Sequence, residues 1–415
     1  MAVDVLVGLQ WGDEGKGKLI DVLAPKYQIV ARFQGGANAG HTLWLQGKKY
    51  VLHLVPSGIF QEDCYCLIGA GVVLDPITFR EEVLQLEAAG IPVRKRLMLA
   101  KRTHLILPGH RAIDAARELA QGSQKIGSTL RGISPAYEDK TGRRGLRIGD
   151  ISMADFKTHV RRLTETHNIY LALLNALHVA DKQIDEFLDA TQWIVENISI
   201  IDAEDWLYDQ INAGSSVLAE GAQGSLLDID FGSYPYVTSS NTVVSGSFTG
   251  LGIPPRFIRN VFGVFKAYCT RVGNGPFPTE LHDQTGEQLR TLGNEFGATT
   301  GRPRRCGWLD IPALRYAIRR NGVSHLLMTK ADILAELQTI QVATHYLADG
   351  QELSLPPYNA NAAIIPQYQT LPAWSKPTSI NAPALQQYIQ LIEKEVQTKI
   401  HFLSTGPERE SWVEL

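Results

Sequence analysis

Three glycines, two lysines and two acids fall within the seven residues Gly12-Asp13-Glu14-Gly15-Lys16-Gly17-Lys18, which follow Gln10-Trp11. Glycines let a turn point its backbone N–H groups outward. Where such a turn opens a helix, the positive end of the helix dipole reinforces them, so the stretch suits an anion such as phosphate. The GxxxxGK[ST] spacing of a phosphate loop is met from Gly12 through Gly17 to Lys18, but Leu19 stands where a magnesium-binding hydroxyl belongs. A carboxylate inside an anion-binding loop repels phosphate unless a cation, or a proton to be abstracted, lies between them. Asp13 is therefore the candidate metal ligand or base.

Other stretches carry chemistry of the same kind. Gln34-Gly35-Gly36-Ala37-Asn38-Ala39-Gly40-His41-Thr42 is a loop of small residues that lets backbone approach a ligand and ends in an imidazole. Glu220-Gly221-Ala222-Gln223-Gly224 is a second glycine-rich loop, and residues 234–242 are rich in hydroxyl and amide groups. The segment Gly297-Ala298-Thr299-Thr300-Gly301-Arg302-Pro303-Arg304-Arg305 sets three arginines beside two hydroxyls, a match for carboxylates and phosphates. Pro303 interrupts the arginine run and stiffens it. Lys330-Ala331-Asp332 and Ser404-Thr405-Gly406-Pro407 each follow an apolar run.

The elements that must position these groups are read from hydrophobic pattern. Strands are expected at 3–9, 28–33, 66–74, 216–219, 261–272, 323–329 and 400–403, and hairpins at 43–54 and around 348–350. Helices are expected at 19–24, from the Asp75-Pro76 cap to 89, and at 156–177, 184–198, 311–320 and 385–394. Residues 111–209 have the character of a helical insertion, and 125–140, ahead of Arg143-Arg144, read as an irregular polar segment within it. The expected fold is α/β, with a large, mostly parallel central sheet, a phosphate-loop-like nucleotide site, a helical insertion and a C-terminal α/β part. The corresponding subdomains are 1–105 with 212–265, then 106–211, then 266–415. Loops leaving parallel strands at one end frame one crevice, which would bring His41 to the side of Asp13.

The motif Gln10-Trp11-Gly12-Asp13-Glu14-Gly15-Lys16-Gly17-Lys18, with the Gln34 to Thr42 loop and Ser404-Thr405-Gly406-Pro407, resembles the adenylosuccinate synthetase family over nearly the whole chain. The resemblance implies formation of adenylosuccinate from IMP and L-aspartate, with GTP supplying a phosphoryl group that activates the C6 oxygen of IMP as a 6-phosphoryl intermediate. It implies Asp13 as the base that removes the N1 proton, His41 as the donor to the β-γ bridge oxygen, and Gln223 as a group holding the intermediate. Magnesium would be bound by Asp13 and the carbonyl of Gly40. GTP would be held by Gly12, Asp13, Glu14, Gly15, Lys16, Gly17, Lys18, Gly40, His41, Thr42, Arg304, Lys330, Asp332, Ser404, Thr405 and Gly406. For the guanine, a carboxylate such as Asp332 can accept from the ring N–H and the exocyclic amine together, while the Lys330 stem covers its face. IMP would meet Asp13, Lys16, Asn38, Ala39, Gly40, His41, Thr129, Gln223, Thr238 and Arg302, and Arg143 from a neighbouring subunit of a homodimer. Aspartate would meet Ala298, Thr299, Thr300, Gly301, Arg302 and Arg304. Leu130 stands where a glycine is expected, which changes the backbone demanded beside Thr129.

Composition narrows the alternatives. The formal charge of the 415 residues is −3, so no broad basic footprint supports nucleic-acid binding, and recognition of phosphate must be local. Four cysteines without a CxxC pair read as reduced thiols, and no run approaches the roughly 20 apolar residues of a membrane span. The cytoplasm is the expected compartment. A regulatory GTPase switch and a non-catalytic nucleotide sensor remain rival readings; Leu19 and the absence of an Asn before Lys330 weigh against the switch.

Overall fold

The computed structural model describes residues 3–45, 47–122, 125–297, 301–359, 361–376 and 378–415. Its first strand, β1 (Val3–Gly8), is buried from end to end; Val3, Val5 and Val7 feed one hydrophobic layer and Leu6 the opposite one. A strand with no polar face must be covered on both sides, as central strands of parallel sheets are. Asp4 is the polar exception, and its carboxylate is satisfied by the Tyr27 hydroxyl at 2.6 Å and by Arg259 Nε at 3.0 Å.

Around β1 the chain builds β2 (Ile29–Arg32), β3 (Tyr65–Ile68), β4 (Leu97–Ala100), β5 (Ser199–Ile201), β6 (Val217–Glu220), β7 (Ile258–Lys266), β8 (His325–Thr329), β9 (Ile400–Ser404) and β10 (Trp412–Glu414). They form one 10-stranded sheet in the order β10-β9-β8-β7-β1-β6-β2-β3-β4-β5. Every neighbouring pair is parallel except β9 and β10. The chain first builds outward from β2 to β5, returns to flank β1 with β6 and β7, then builds outward the other way. That reversal opens a crevice beyond the carboxyl ends of β1, β6 and β2, where ligands settle in open α/β sheets.

One face is covered by helix Lys16–Leu23, whose Leu19, Ile20 and Leu23 pack on Leu6, Val30 and Leu218. The other carries helices Ala203–Asn212, Ile311–Asn321 and Pro383–Val396. Helices Phe156–Leu173 and Asp181–Asn197 bury Val160, Leu163, Phe187 and Ile194 in a layer with Ile68, Leu97 and Leu99. The sheet runs through all three expected subdomains: β5 lies within 106–211, and β8 to β10 within 266–415. No helix among the described residues is long and apolar enough to cross a membrane.

Several element boundaries differ from the pattern reading. The run 66–74 is broken after Ile68: Gly69 N–H completes the ladder to the Arg32 carbonyl of β2, Gly71 N–H goes to the Gly250 carbonyl instead, and pairing resumes at Val73–Leu74. The run 261–272 splits into β7 and Cys269–Arg271 because the Gln10 side chain donates to the carbonyls of both Lys266 and Tyr268 there. The helix from Phe156 stops at Leu173, leaving Leu177 exposed. The polar segment 125–140 is not irregular throughout: Gly132 turns with φ 73 into helix Ile133–Thr141, and Ile133 and Ala136 pack against Val73 and Ile106.

Candidate active site

The loop after β1 separates its two acids. Gly12, Asp13 and Gly15 all have left-handed φ, 86, 59 and 86°, a conformation that Asp tolerates better than most residues. The result is that Asp13 faces solvent while Glu14 turns inward and is fully buried. Glu14 Oε1 accepts the N–H groups of Gln10 (3.1 Å) and Gly12 (2.9 Å), and Oε2 accepts Lys16 Nζ at 2.5 Å. This buried pair braces the loop from beneath, and the acid that reaches the crevice is Asp13. The loop is tied to neighbouring strand ends by Gln10, on the backbone of 266–268, and by the Thr329 hydroxyl, which donates to the Glu14 carbonyl at 2.7 Å.

Lys18 does not behave as its phosphate-loop spacing suggests. Its ammonium donates to Ser404 Oγ (2.8 Å), the Gly406 carbonyl (2.7 Å) and the Ser411 carbonyl (2.8 Å), joining the first loop to the one after β9. Burial pushes it down to about 8, against the pull of Asp332, Glu408 and Glu410. Thr405 N–H donates to the Ser411 carbonyl at 3.0 Å. Beside this wall, Lys330 has φ 63 and donates to the Gly293 carbonyl at 2.7 Å, and Asp332 lies in the short helix Ala331–Leu334 with its carboxyl raised by burial.

His41 begins the first strand of the hairpin His41–Leu45 and Lys48–Leu52, followed by Thr42, and its ring is buried. Its Nδ1 lies 2.7 Å from Glu220 Oε1 and 3.2 Å from Ser57 Oγ. Glu220 also accepts Ser57 N–H at 2.8 Å. A carboxylate on Nδ1 sets the imidazole's tautomer and plane. His41 Nε2, by contrast, is buried with no partner among the described residues. Burial pulls the ring's pKa down, and Glu220 acts against that. Gly17 is required here: a Cβ on it would stand 2.7 Å from the His41 Cβ.

Behind the histidine, the fully buried Arg32 guanidinium donates to the carbonyls of Gly36 (2.9 Å) and His53. Glu82 accepts the N–H groups of His53 (2.8 Å), Leu54 (2.9 Å) and Val55 (3.3 Å), and burial raises its carboxyl to about 7. The loop 34–40 is thus fixed by buried charges. Within it, Asn38 Oδ1 accepts Gly36 N–H at 3.2 Å, and the Ala39 carbonyl meets His53 Nδ1 at 2.7 Å, next to Gly40.

Gln223 sits at φ 56 in the loop after β6, its Oε1 buried and unpartnered among the described residues. A Cβ on Gly35 would stand 2.9 Å from that oxygen, so the loops after β2 and β6 meet at Gln223. Thr238 donates its N–H to the Leu227 carbonyl at 2.9 Å on the same side. Residues 127–132 are stitched to helix Pro108–Ala120: Glu118 accepts Gly127 N–H at 2.7 Å, and Asp114 accepts the Ser128 hydroxyl and Gly132 N–H at 2.7 and 2.9 Å. Thr129 and Leu130 are exposed, and Leu130 adopts φ 57, the backbone a glycine would take. Arg143 is exposed as well, just beyond Ile133–Thr141, at φ 59.

The arginine segment reaches the first loop through Arg304, whose Nε donates to Asp13 Oδ2 at 2.7 Å and whose Nη1 donates to Glu295 at 2.6 Å. Glu295 is fully buried and also accepts Lys266 Nζ at 2.9 Å and the Tyr268 hydroxyl at 2.5 Å. Burial would raise its carboxyl, but Lys266, Lys330 and Arg304 outweigh that and hold it down to about 2. Gly301 is left-handed at φ 64, the Arg302 carbonyl accepts Gly297 N–H at 2.8 Å, and Pro303 forms a bridge with Phe296. Ala298, Thr299 and Thr300 lie outside the described residues.

Pattern reading overlooked the supporting charges. Glu220 had a signal, an acid ending an apolar strand, and so did Arg32, a guanidinium inside one. Lys266 and Glu295 carried none, because only the fold pairs them.

Comparisons with known proteins identify the family. The family model for adenylosuccinate synthetase matches residues 5–413. The adenylosuccinate synthetase of Christiangramia forsetii is 50% identical, covering 100% of both chains, and that of Cytophaga hutchinsonii is 53% identical over 99% of this chain and 97% of its own. The solved structure of fully ligated adenylosuccinate synthetase from Plasmodium falciparum superposes with a TM-score of 0.93 at 36% identity, covering 100% of each chain. With this match over nearly its full length and fold, the chain belongs to the adenylosuccinate synthetase family.

Proposed function

We propose how the crevice performs the family's reaction, the GTP-dependent ligation of L-aspartate to IMP that gives adenylosuccinate, GDP and phosphate in AMP biosynthesis. The chain is a ligase of this type. The assignment of roles rests on one observation above others: loops from β1, β2 and β6 meet, and His41 Nε2 is among the buried polar atoms they leave without partners among the described residues. Buried polar atoms are usually paired, which supports a substrate atom as the partner of His41 Nε2.

The C6 oxygen of IMP is a poor nucleophile and a poor leaving group. Asp13 removes the N1 proton, which places charge on that oxygen for attack on the γ-phosphorus of GTP. His41, as the imidazolium with Nδ1–H held by Glu220, donates its Nε2–H to the β-γ bridge oxygen as charge builds there. The Gln223 amide N–H holds the 6-phosphoryl oxygens, and the α-amine of aspartate then displaces phosphate at C6. Gly12, Gly15 and Gly17 line the phosphates, and Lys16 joins them if its ammonium leaves Glu14; Asn38, Thr129, Thr238 and Arg302 meet IMP; Arg302 and Arg304, with Thr299 and Thr300, meet aspartate. Asp332 and Lys330 read the guanine, with Ser404, Thr405 and Gly406 as the opposite wall.

A magnesium ion fits the donor set, because the exposed Asp13 carboxylate and a backbone carbonyl are hard oxygen ligands, although the Arg304 guanidinium now pairs with Asp13 Oδ2. Asp13 and the Gly40 carbonyl would hold it, and its chemistry is to neutralise the phosphate oxygens. We further propose a homodimer in which Arg143 reaches the partner's IMP phosphate, and a cytoplasmic setting in keeping with four free, buried cysteines. The test is phosphate release with GTP alone and with IMP and aspartate added. The synthetase reading requires both additions. Release from GTP alone would indicate a switch, and no release under any condition a sensor.

A further inference from the structure

Three helices meet at one carboxylate away from the crevice. Asp139, in Ile133–Thr141, accepts His110 Nε2–H at 3.0 Å and His167 Nε2–H at 2.9 Å on its Oδ2. Its Oδ1 accepts Arg144 Nε at 3.1 Å and Nη2 at 2.9 Å. His110 belongs to Pro108–Ala120 and His167 to Phe156–Leu173; both are buried, with ring centroids 4.7 Å apart. Two imidazoles and a carboxylate suggest a metal site, but the hydrogen bonds argue otherwise. Leu107 N–H donates to His110 Nδ1 at 3.0 Å, so the proton of the neutral ring lies on Nε2, the atom facing Asp139, and that atom has no lone pair for a metal. Arg144 supplies a further positive charge. Asp139 is instead an acceptor shared by three donors.

Through the Arg144 side chain this carboxylate holds a turn that main-chain bonds also close. The Asp139 carbonyl accepts the N–H groups of Arg144 (2.9 Å) and Gly145 (3.1 Å), the Lys140 carbonyl accepts Arg143 N–H (3.2 Å), and Arg143 is left at φ 59 with its side chain exposed. A left-handed non-glycine residue is strained and persists where its surroundings over-determine it. The other side of the same helix is bolted to the site of its own subunit: the Tyr137 hydroxyl donates to the Gly71 carbonyl at 2.7 Å and accepts Gly35 N–H at 3.0 Å, and Lys140 Nζ donates to the Ala70 carbonyl at 3.2 Å.

We infer that Asp139, clamped by His110 and His167, is a positioning residue that aims Arg143 out of its own subunit at the IMP phosphate of the partner. The inference rests on the reading of Arg143 as acting across a dimer. Asp139→Asn, and separately His167→Ala, should raise KM for IMP about tenfold while kcat at saturating IMP stays within about twofold. His167→Gln, whose amide can still donate to Asp139, should recover most of that loss. The decisive experiment mixes Asp139→Asn with an excess of Asp13→Ala under subunit exchange. Every active site then sits on an Asp139→Asn subunit facing an intact Arg143 turn, so KM for IMP should return to the wild-type value. A KM that stays raised in these hybrids would confine Asp139 to the site or stability of its own subunit and overturn the inference. A parallel mixture of Arg143→Leu with Asp13→Ala separates the two readings: if that one regains activity and the Asp139→Asn hybrid does not improve, only the Asp139 role fails; if neither recovers despite exchange, the cross-subunit reading fails and takes the inference with it. An unchanged KM for IMP in both variants, or stoichiometric zinc uptake by the intact enzyme that is lost in His167→Ala, would also overturn it.

Discussion

Replacing Glu220 with Gln probes the histidine at the centre of the proposed mechanism without touching substrate. Gln has the same shape, and its amide oxygen can still accept the Ser57 N–H that Glu220 accepts at 2.8 Å, so the fold should survive. What is lost is the charged acceptor 2.7 Å from His41 Nδ1. A hydrogen bond to a charged group contributes about 1.5–3 kcal/mol, and each ~1.4 kcal/mol is tenfold in rate, so kcat should fall roughly ten- to a hundredfold. KM values for GTP and IMP should change little. The pH profile supplies the sign. Burial already lowers the His41 pKa, while the Glu220 hydrogen bond and charge raise it. Removing that charge lowers it further, and because the donor needs protons on both ring nitrogens, the loss of rate with rising pH should begin at a lower pH than in the wild type. The assay is adenylosuccinate formation, followed through the purine absorbance at saturating substrates across pH. A kcat within twofold of wild type, or an alkaline limb that does not move or moves upward, would refute the Glu220–His41 reasoning.

Asp13→Asn should reduce turnover by about 10² to 10⁴, the usual worth of a general base, with GTP binding by calorimetry retained; near-normal turnover would remove Asp13 from that role. Asp332→Asn should weaken GTP and favour xanthosine triphosphate, which offers a carbonyl in place of the exocyclic amine, and an unchanged preference in competition assays would show that another group reads the base. Glu295→Gln leaves the buried Lys266 ammonium without its carboxylate and should destabilise the fold by about 3–5 kcal/mol in chemical denaturation near neutral pH. Because Glu295 is held down to about 2, its contribution is full above the ordinary carboxyl range and fades as pH falls toward that value; the gap between wild type and variant should narrow correspondingly. A loss below about 1 kcal/mol would show the cluster to be energetically idle.

Local order was legible before any coordinates. A largely apolar run ending in glycines and acids marked β1 and its loop, and Asp75-Pro76 marked a helix start that the fold realises, with Asp75 Oδ1 accepting the N–H groups of Ile77 and Thr78. Such features depend on residues within a few positions of one another, and periodicity reports them. Side-chain direction in an irregular loop has no period, so nothing in Gly12 to Lys18 could tell that Glu14 and Lys16 would turn inward as a pair while Asp13 faced the crevice, or that Lys18 would reach for the loop after β9. The charged groups that brace the site, Glu220 on His41, Glu295 on Lys266 and Arg304, and Asp139 on two histidines, pair residues far apart in the chain. A buried charge is tolerable only when its partner is brought to it, and the order of strands in the sheet, with β6 and β7 returning to flank β1, is what brings those partners together.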